Sequence, residues 1–202
     1  MTDKSERRRR EVVETMLDMA ASHGPDRVTT RLIAQRLGVS EPALYRHFPD
    51  GKPGMWQALA GVVSERMKAA WRSALATAPV SAPERLRALV TCQLDLIAAT
   101  PALPAILFSR TLHRDNAALR TGIAAVAARF HARLEQIVED GRRKGELRED
   151  LDADAVAWLL ISVVQGTAIR WSLSDRGFDL EREGARVLDT ALNGIEPVER
   201  GS

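Results

Sequence analysis

The stretch from Val28 to Phe48 constrains this chain most, because it predicts two short helices joined by a tight turn. Thr29 can cap the first helix, since its side-chain oxygen can accept from an otherwise unpaired backbone amide. Gly38 predicts the end of that helix, because glycine adopts the left-handed backbone conformation that other residues avoid. Ser40 then caps the second helix, and Pro42 fits its first turn. The pattern indicates a helix-turn-helix.

The second of these helices has one apolar face and one mixed face. Leu44 and Phe48, four residues apart, would anchor it to a core. The other face combines hydrogen-bonding groups with small contact surface, as suits a DNA major groove. It carries Glu41, Ala43, Tyr45, Arg46 and His47.

Four short motifs in this region resemble the DNA-binding head of TetR-type regulators. They are Thr29-Thr30-Arg31, Ile33-Ala34, Leu37-Gly38-Val39-Ser40 and Ala43-Leu44-Tyr45-x-His47-Phe48. Beyond the head, only chain length and helix count support the resemblance. It implies a homodimeric repressor that binds a palindromic operator in double-stranded DNA. It also implies a small-molecule effector that binds the body and releases the DNA.

The resemblance further implies which residues contact DNA. Thr29, Thr30, Tyr45 and His47 match phosphate contacts, and Arg31 matches a contact to a guanine edge or a phosphate. Glu41, Pro42 and Ala43 match base-reading positions. The full predicted set is Thr29, Thr30, Arg31, Ser40, Glu41, Pro42, Ala43, Tyr45, Arg46, His47 and Lys52.

Three of these positions also have structural interpretations. Tyr45 could be a partly buried aromatic brace, and His47 could be a capping or surface residue. Phosphates repel the Glu41 carboxylate unless it accepts from a cytosine amino group, so it could instead serve the helix N-terminus, where negative charge is favoured.

The chain departs from the family pattern directly after Phe48. The usual spacing places a lysine three residues later, whereas Phe48-Pro-Asp-Gly-Lys52 inserts one residue, and Asp50-Gly51 predicts a turn. Lys52 stays a candidate phosphate contact from the start of the next helix.

Helical periodicity continues along the rest of the chain, without a strand pattern, glycine-rich phosphate loop or repeat. We expect an all-α fold of about nine helices. Residues 1–52 would form a three-helix DNA-binding head, and residues 53–202 a helical effector-binding and dimerisation body. The other predicted helices span Glu6 to His23, Gly54 to Ala76, a segment opened by Ser81-Ala-Pro-Glu84, Thr100 to Leu112, Asn116 to Lys144, a segment capped by Asp152, and Leu180 to Asn193.

Charge and composition limit the remaining possibilities. The net charge of +2 is too small for the molecule to attract nucleic acid over its whole surface. Any affinity for DNA must come from charges placed on one part of the surface. The run from Arg7 to Arg10 fits either a phosphate-binding arm or a solvated face.

The single cysteine, Cys92, excludes an intramolecular disulfide and fits a small core residue, with a redox-sensing thiol as the alternative. The chain has no signal-peptide pattern and no apolar run of about twenty residues, which predicts a cytoplasmic protein with no membrane partner. The family resemblance implies that the protein is bacterial and nucleoid-associated.

The resemblance implies an effector cavity in the body. Polar residues that interrupt apolar stripes indicate its lining, because a buried amide requires a partner that a ligand can supply. The expected effector is uncharged and largely hydrophobic. The alternative is that the apolar members fill an ordinary core. The predicted lining is Met67, Trp71, Gln93, Phe108, Phe130 and Gln165.

The last two predicted helices carry more apolar surface than one thin bundle covers. Two copies packed as a four-helix bundle would bury it, which predicts a homodimer. The alternative is that other helices of the same chain cover these faces. The predicted seam is Leu160, Val164, Gly184, Val187, Leu188 and Ala191.

Two other function classes compete with the ligand-responsive repressor. Residues 40–49 share a Ser-Glu-x-Ala-Leu-Tyr-Arg-His-Phe-Pro run with the nucleoid-occlusion division inhibitors, whose body contacts a protein. We expect that similarity to be confined to the head. An enzyme is disfavoured, since the four histidines are scattered and neither a nucleophile motif nor metal-ligand spacing occurs; no cofactor is expected.

Overall fold

The computed structural model describes residues 2–197, which form ten α-helices and no strand. This confirms the all-α prediction. A short 3-10 turn, Pro25–Arg27, connects the first two helices. The helices are α1 (Thr2–His23), α2 (Thr30–Leu37), α3 (Glu41–His47), α4 (Gly51–Thr77), α5 (Ala82–Ala99), α6 (Ala102–Phe108), α7 (Arg110–Asp115), α8 (Ala117–Arg143), α9 (Ala153–Leu173) and α10 (Leu180–Asn193).

The chain divides into two compact units, each built from two separate segments. The first unit contains Met1–Arg66 and Thr100–Val126, and the second contains Met67–Ala99 and Ala127–Ser202. Helices α4 and α8 therefore contribute residues to both units. The expected division at residue 52 does not coincide with these limits, because the first unit also takes in the start of α4 and all of α6 and α7.

An apolar cluster forms the core of the first unit. Helix α1 packs against α2, α3 and α6, and its inward side chains are fully buried. The segment after Thr100 supplies the rest of this core, so the three helices of the head do not close a core by themselves. Buried members include Val12, Val13, Met16, Ile33, Leu44, Phe48, Trp56, Ala102, Ile106, Leu112 and Leu119.

In the second unit α5 packs against both α9 and α10. Gly184 of α10 permits a close approach to α5, because a Cβ there would lie 2.3 Å from Cδ1 of Leu94 unless that side chain moved. By length and composition α9 could cross a bilayer, but half of its most apolar stretch is buried inside the unit, as in the core helix of a globular domain.

The structure has one more helix than expected because the predicted helix from Thr100 to Leu112 is interrupted at Ser109. Ser109 is extended, and its side-chain oxygen accepts from the amide of Leu112 at 3.1 Å, which caps α7. The starts of α1 and α4 also lie earlier than the expected Glu6 and Gly54. In α4 this is possible because a proline in the first turn removes no helical hydrogen bond.

Local capping signals account for most of the correct boundaries. Thr29 accepts from the amide of Leu32 at 3.2 Å, Gly38 adopts the left-handed conformation with φ 65°, and Asp152 caps α9. Ser40 occupies its cap position without a side-chain bond.

The capping box at the start of α5 is rearranged. The Ser81 hydroxyl donates to the Glu84 carboxylate rather than exchanging bonds with backbone amides. A carboxylate from a distant part of the chain caps the helix instead, since Glu146 accepts from the Ala82 amide at 2.6 Å.

Candidate nucleic-acid interface

A short turn holds α3 against α2. The amide of Val39 donates to the carbonyl of Ala34 at 3.0 Å, and that of Gly38 donates to Gln35 at 3.2 Å, so the carbonyls at the end of α2 are satisfied. The left-handed conformation of Gly38 then redirects the chain. The predicted helix-turn-helix is present.

The outward face of α3 is the one predicted to meet DNA. Leu44 and Phe48 are each 1% exposed and attach the helix to the core. On the other side Pro42 and Arg46 are exposed, and Tyr45 is 45% exposed. The Tyr45 ring lies against Gly51, where a Cβ would be 3.1 Å from Cε1. Tyr45 is therefore both supported by the start of α4 and accessible.

Thr30 and Glu41, two of the predicted DNA contacts, bind each other. The Thr30 hydroxyl donates to the Glu41 carboxylate at 2.9 Å, and both residues are partly buried. This bond joins the first turn of α2 to the first turn of α3. The Glu41 carboxylate therefore has a structural partner, but a neutral hydroxyl does not remove its negative charge.

The predicted basic contacts differ in their surroundings. Arg31 and Arg46 are exposed, and neither has a hydrogen bond or ion pair within residues 2–197. Lys52 lies partly buried in the first turn of α4, one residue after Gly51, whose φ is 62°. The hydroxyl of Thr29 accepts from Leu32 and keeps its own proton free for a phosphate oxygen.

The run from Arg7 to Arg10 belongs to α1 and is not a separate arm. Arg8 pairs with Glu11 at 2.8 Å, and Arg7 lies 3.8 Å from the same carboxylate. Arg9 points elsewhere, donating to the backbone carbonyl of His47 at 3.3 Å. Arg9 therefore links α1 to the end of α3, a contact that the sequence interpretation did not predict.

Ser5 lies one turn before Arg9 and contacts the same residue. Its Oγ is 3.3 Å from Nδ1 of His47, while the Arg9 guanidinium lies 4.7 Å from the centre of the Phe48 ring. A spacing of four residues places Ser5 and Arg9 on one face of a helix, but nothing in that spacing indicates that the face meets His47.

Comparisons with known proteins agree with this geometry. Residues 13–59 match the family described as bacterial regulatory proteins, tetR family, and residues 64–194 match the one described as YsiA-like protein, C-terminal region. The chain belongs to the TetR family. It is a DNA-binding regulator of that family, and the resemblance inferred from the head extends through the body.

A relative of this TetR-family chain is the nucleoid occlusion factor SlmA of Vibrio vulnificus, 30% identical over 173 residues. The match covers 85% of this chain and 87% of the relative. The expectation that similarity to nucleoid-occlusion proteins is confined to the head was wrong, since it includes most of the body.

Two solved structures share the TetR fold. A putative transcriptional regulator from Saccharomonospora viridis, in complex with choline, has a TM-score of 0.81 and 25% identity, with coverage of 96% of this chain and 100% of that one. FadR from Bacillus subtilis, in complex with stearoyl-CoA, has a TM-score of 0.73 and 23% identity, with coverage of 92% and 98%.

Four of the six predicted effector residues of this TetR-family chain come together in the second unit. Trp71 Nε1 donates to Gln93 Oε1 at 2.9 Å, and the Trp71 and Phe130 rings stack with centroids 5.0 Å apart. Gln93 Nε2 lies 4.0 Å from Met67 Sδ. The buried amide oxygen of Gln93 thus has a protein partner, and within residues 2–197 its NH₂ group has only this weak sulfur acceptor.

The other two predicted effector residues lie elsewhere. Gln165 is exposed on the outward face of α9, and Phe108 is 43% exposed at the end of α6 in the first unit. The sequence did not show that Gln165 is exposed, because α9 is apolar nearly all round and periodicity does not reveal which face is inside.

Most of the residues predicted for the dimer seam lie inside one chain of the structure. Leu160 and Leu188 are fully buried, Val164 is 5% exposed, and Gly184 is covered by Leu94, all within one chain. Helix α5 covers these faces, as the alternative interpretation allowed. Val187 and Ala191 are only partly buried and stay candidates.

Cys92 is partly buried, and burial raises the pKa of its thiol, with a further increase from the Asp95 carboxylate. A raised pKa lowers the thiolate fraction, which argues against a redox-sensing thiol. Residues 2–197 contain no group of three or more metal-ligating side chains arranged to hold an ion.

Proposed function

We propose that this TetR-family regulator is a homodimeric repressor that binds an inverted-repeat operator through α3. The observation that carries the proposal is the exposed polar face of α3 on a helix whose opposite side is fully anchored. Two symmetry-related copies of α3 would enter successive major grooves. DNA occupancy would then block transcription.

Each side chain in the interface has a proposed role. Arg31 and Arg46 make charged contacts to bases or phosphates, because they are exposed and unpaired within the described chain. Thr29, Tyr45 and His47 donate to phosphate oxygens, and Lys52 supplies a phosphate charge from α4. Pro42 and Ala43 present small surface to the bases. Thr30 and Glu41 hold α2 to α3, and Ser40 lies beside them.

Operator selection from random DNA, followed by salt titration, tests the DNA assignment. If Arg46 contacts a base, Arg46→Gln should cost about 1–3 kcal/mol and relax the preference at that base. If Arg31 contacts a phosphate, Arg31→Gln should reduce the salt slope by about 0.9. Arg129→Gln, at an exposed arginine on α8, is the matched control for lost charge. Selection that yields no enriched palindrome, or both head variants behaving like the control, rejects the proposal.

We further propose that a small, largely hydrophobic molecule binds beside Gln93 and releases the DNA. The contacts of Met67, Trp71, Gln93 and Phe130 support a site there, because an apolar surrounding with one incompletely bonded amide is typical of ligand pockets. Structural relatives bound to choline and to stearoyl-CoA give the first two probes.

Thermal shift with these probes and a library of apolar compounds, followed by operator titration, tests the effector. A true effector should raise the melting temperature. It should also lower the protein's affinity for DNA by the same factor by which DNA lowers the protein's affinity for the effector. Gln93→Leu should reduce that shift, and Gln165→Leu should not, because Gln165 lies outside the cluster.

The second candidate function is a DNA-bound adaptor whose body contacts a protein. It is favoured by the match to SlmA, which covers 85% of the chain. If no compound in the screen both stabilises the protein and releases DNA, the adaptor replaces the ligand-responsive repressor. Both functions place the protein on the bacterial nucleoid in the cytoplasm, with no catalytic role.

A further inference from the structure

The recognition helix α3 needs support at its C-terminal end. It has only seven residues, and helices of this length are unstable in water without tertiary contacts. Its last carbonyls have no partner inside the helix. Arg9 donates to one of them, the carbonyl of His47, and places a positive charge where the helix dipole favours it.

The same guanidinium is also held by an aromatic ring. Arg9 Cζ lies 4.7 Å from the centroid of Phe48, which is 1% exposed and anchors α3 to the core. A hydrogen bond and a cation–π contact together fix the guanidinium between α1 and the end of α3. A side chain held in this way is not free to follow a DNA phosphate.

Ser5 acts on the imidazole of His47 rather than on its backbone. Its Oγ lies 3.3 Å from Nδ1. When the hydroxyl donates to Nδ1 of a neutral imidazole, the ring proton must lie on Nε2. Nε2 has no partner within the described residues and becomes the available N–H donor.

We propose that Ser5 and Arg9 are positioning residues for DNA recognition. Arg9 fixes the C-terminal end of α3, and Ser5 selects the His47 tautomer that can donate to a phosphate. The Thr30–Glu41 bond fixes the other end of α3, so the helix is held at both ends. Ser5 and Arg9 precede residues 13–59, the part that matches the family. The inference rests on the proposed reading of DNA by α3.

The variant Arg9→Gln tests the backbone contact, with Arg7→Gln as the matched control. Both remove one charge from the same part of α1, but the described partner of Arg7 is Glu11 of α1 itself. In Arg9→Gln, hydrogen–deuterium exchange of the amides from Leu44 to Phe48 should accelerate. Operator affinity should fall about tenfold, the effect of losing one charged hydrogen bond, with the salt slope equal to that of Arg7→Gln.

Ser5→Ala tests the tautomer. A long-range ¹H–¹⁵N spectrum of the imidazoles distinguishes Nε2–H from Nδ1–H, and comparison with His47→Gln assigns the signal. Wild-type His47 should be in the Nε2–H form, and Ser5→Ala should populate the Nδ1–H form. An Nδ1–H tautomer in the wild type, or no change in Ser5→Ala, overturns the role of Ser5.

The outcomes separate this inference from the proposed function. Exchange rates and imidazole spectra are measured without DNA, so they test the contacts directly. If Arg9→Gln exchanges like Arg7→Gln, or lowers the salt slope by about one relative to it, Arg9 is not a positioning residue. If the wild type selects no DNA sequence, the proposed function fails instead.

Discussion

Two carboxylates show how strongly neighbouring groups shift the pKa of a side chain. Glu183 on α10 accepts from Arg186 at 2.8 Å and from Arg170 at 3.2 Å. These bonds lower the pKa of Glu183 from 4.5 to about 2. Asp95 on α5 has a raised pKa, because burial disfavours its charge and Glu181 adds repulsion. The two carboxylates therefore have opposite effects on acid stability.

Glu183 predicts a specific loss of stability in acid. Its folded-state pKa is depressed, so its contribution to the free energy of unfolding is present above pH 4.5 and is lost as the pH falls towards 2. In Glu183→Gln this part of the pH dependence should disappear. Urea denaturation between pH 6 and pH 2 measures it, at intervals of about half a unit. Glu149→Gln, at an exposed carboxylate without a side-chain bond in residues 2–197, should keep the wild-type profile.

The Thr30–Glu41 bond predicts a difference between two nearly isosteric changes. Thr30→Val removes the donor and should lower the free energy of unfolding by about 1–2 kcal/mol, because a partly buried carboxylate loses its partner. Glu41→Gln keeps an acceptor oxygen and should cost less. Denaturation of the two variants side by side measures the difference. Equal stability of Thr30→Val and the wild type would contradict the proposed link between α2 and α3.

At the level of helices, the sequence correctly predicted the boundaries that local capping interactions determine. Gly38, Thr29 and Asp152 mark boundaries through their own conformations and bonds, and α10 has the predicted limits. The residues predicted to face a second subunit on α9 and α10 are mostly buried within one chain. Periodicity identifies an apolar face, but it does not reveal which neighbour covers it, and here α5 does. Contacts between distant segments, such as Arg9 with His47, leave only a weak trace in the sequence.

Two glycine-to-alanine substitutions should have opposite effects on stability, because Gly184 lies where α10 approaches α5 and Gly61 lies in open space. Gly184→Ala should destabilise by about 1–3 kcal/mol, because the new methyl would displace Leu94. Gly61→Ala on α4 meets nothing within 4 Å and should stabilise by about 1 kcal/mol, since alanine favours helix over glycine. Thermal denaturation of both variants measures the sign of each effect. A stabilised Gly184→Ala would show that α5 and α10 are not in close contact.

For the whole molecule, the outward face of α9 replaces the predicted seam as the dimer candidate. Trp158 is 51% and Leu159 45% exposed, although both are large apolar side chains on a helix whose other face is buried. Ser162, Gln165 and Gly166 continue the same exposed side. An exposed apolar patch on a core helix is typical of a subunit interface. The symmetric operator of the proposed function requires such an interface.

A matched pair of charge substitutions tests this assignment. Leu159→Glu should leave the fold intact and convert dimers to monomers that bind a palindromic operator weakly, because each half-site captures part of the energy. Leu188→Glu should instead unfold the chain, since an unpaired buried charge costs about 3–5 kcal/mol. Sedimentation and circular dichroism distinguish the two results. A wild type that is monomeric and still binds its operator tightly would contradict the dimer.

The discontinuous first unit limits how such proteins can be recombined. Its core draws on Ala102, Ile106, Leu112 and Leu119, which follow the whole of α4 and α5 in the chain. A chimera that joins residues 1–66 of this protein to the body of a homologue would place foreign side chains into the core of the head. A working exchange of operator specificity would have to transplant residues 100–126 as well, or graft only the outward side chains of α3. Domain shuffling within this architecture is therefore constrained by packing, not only by where the chain can be cut.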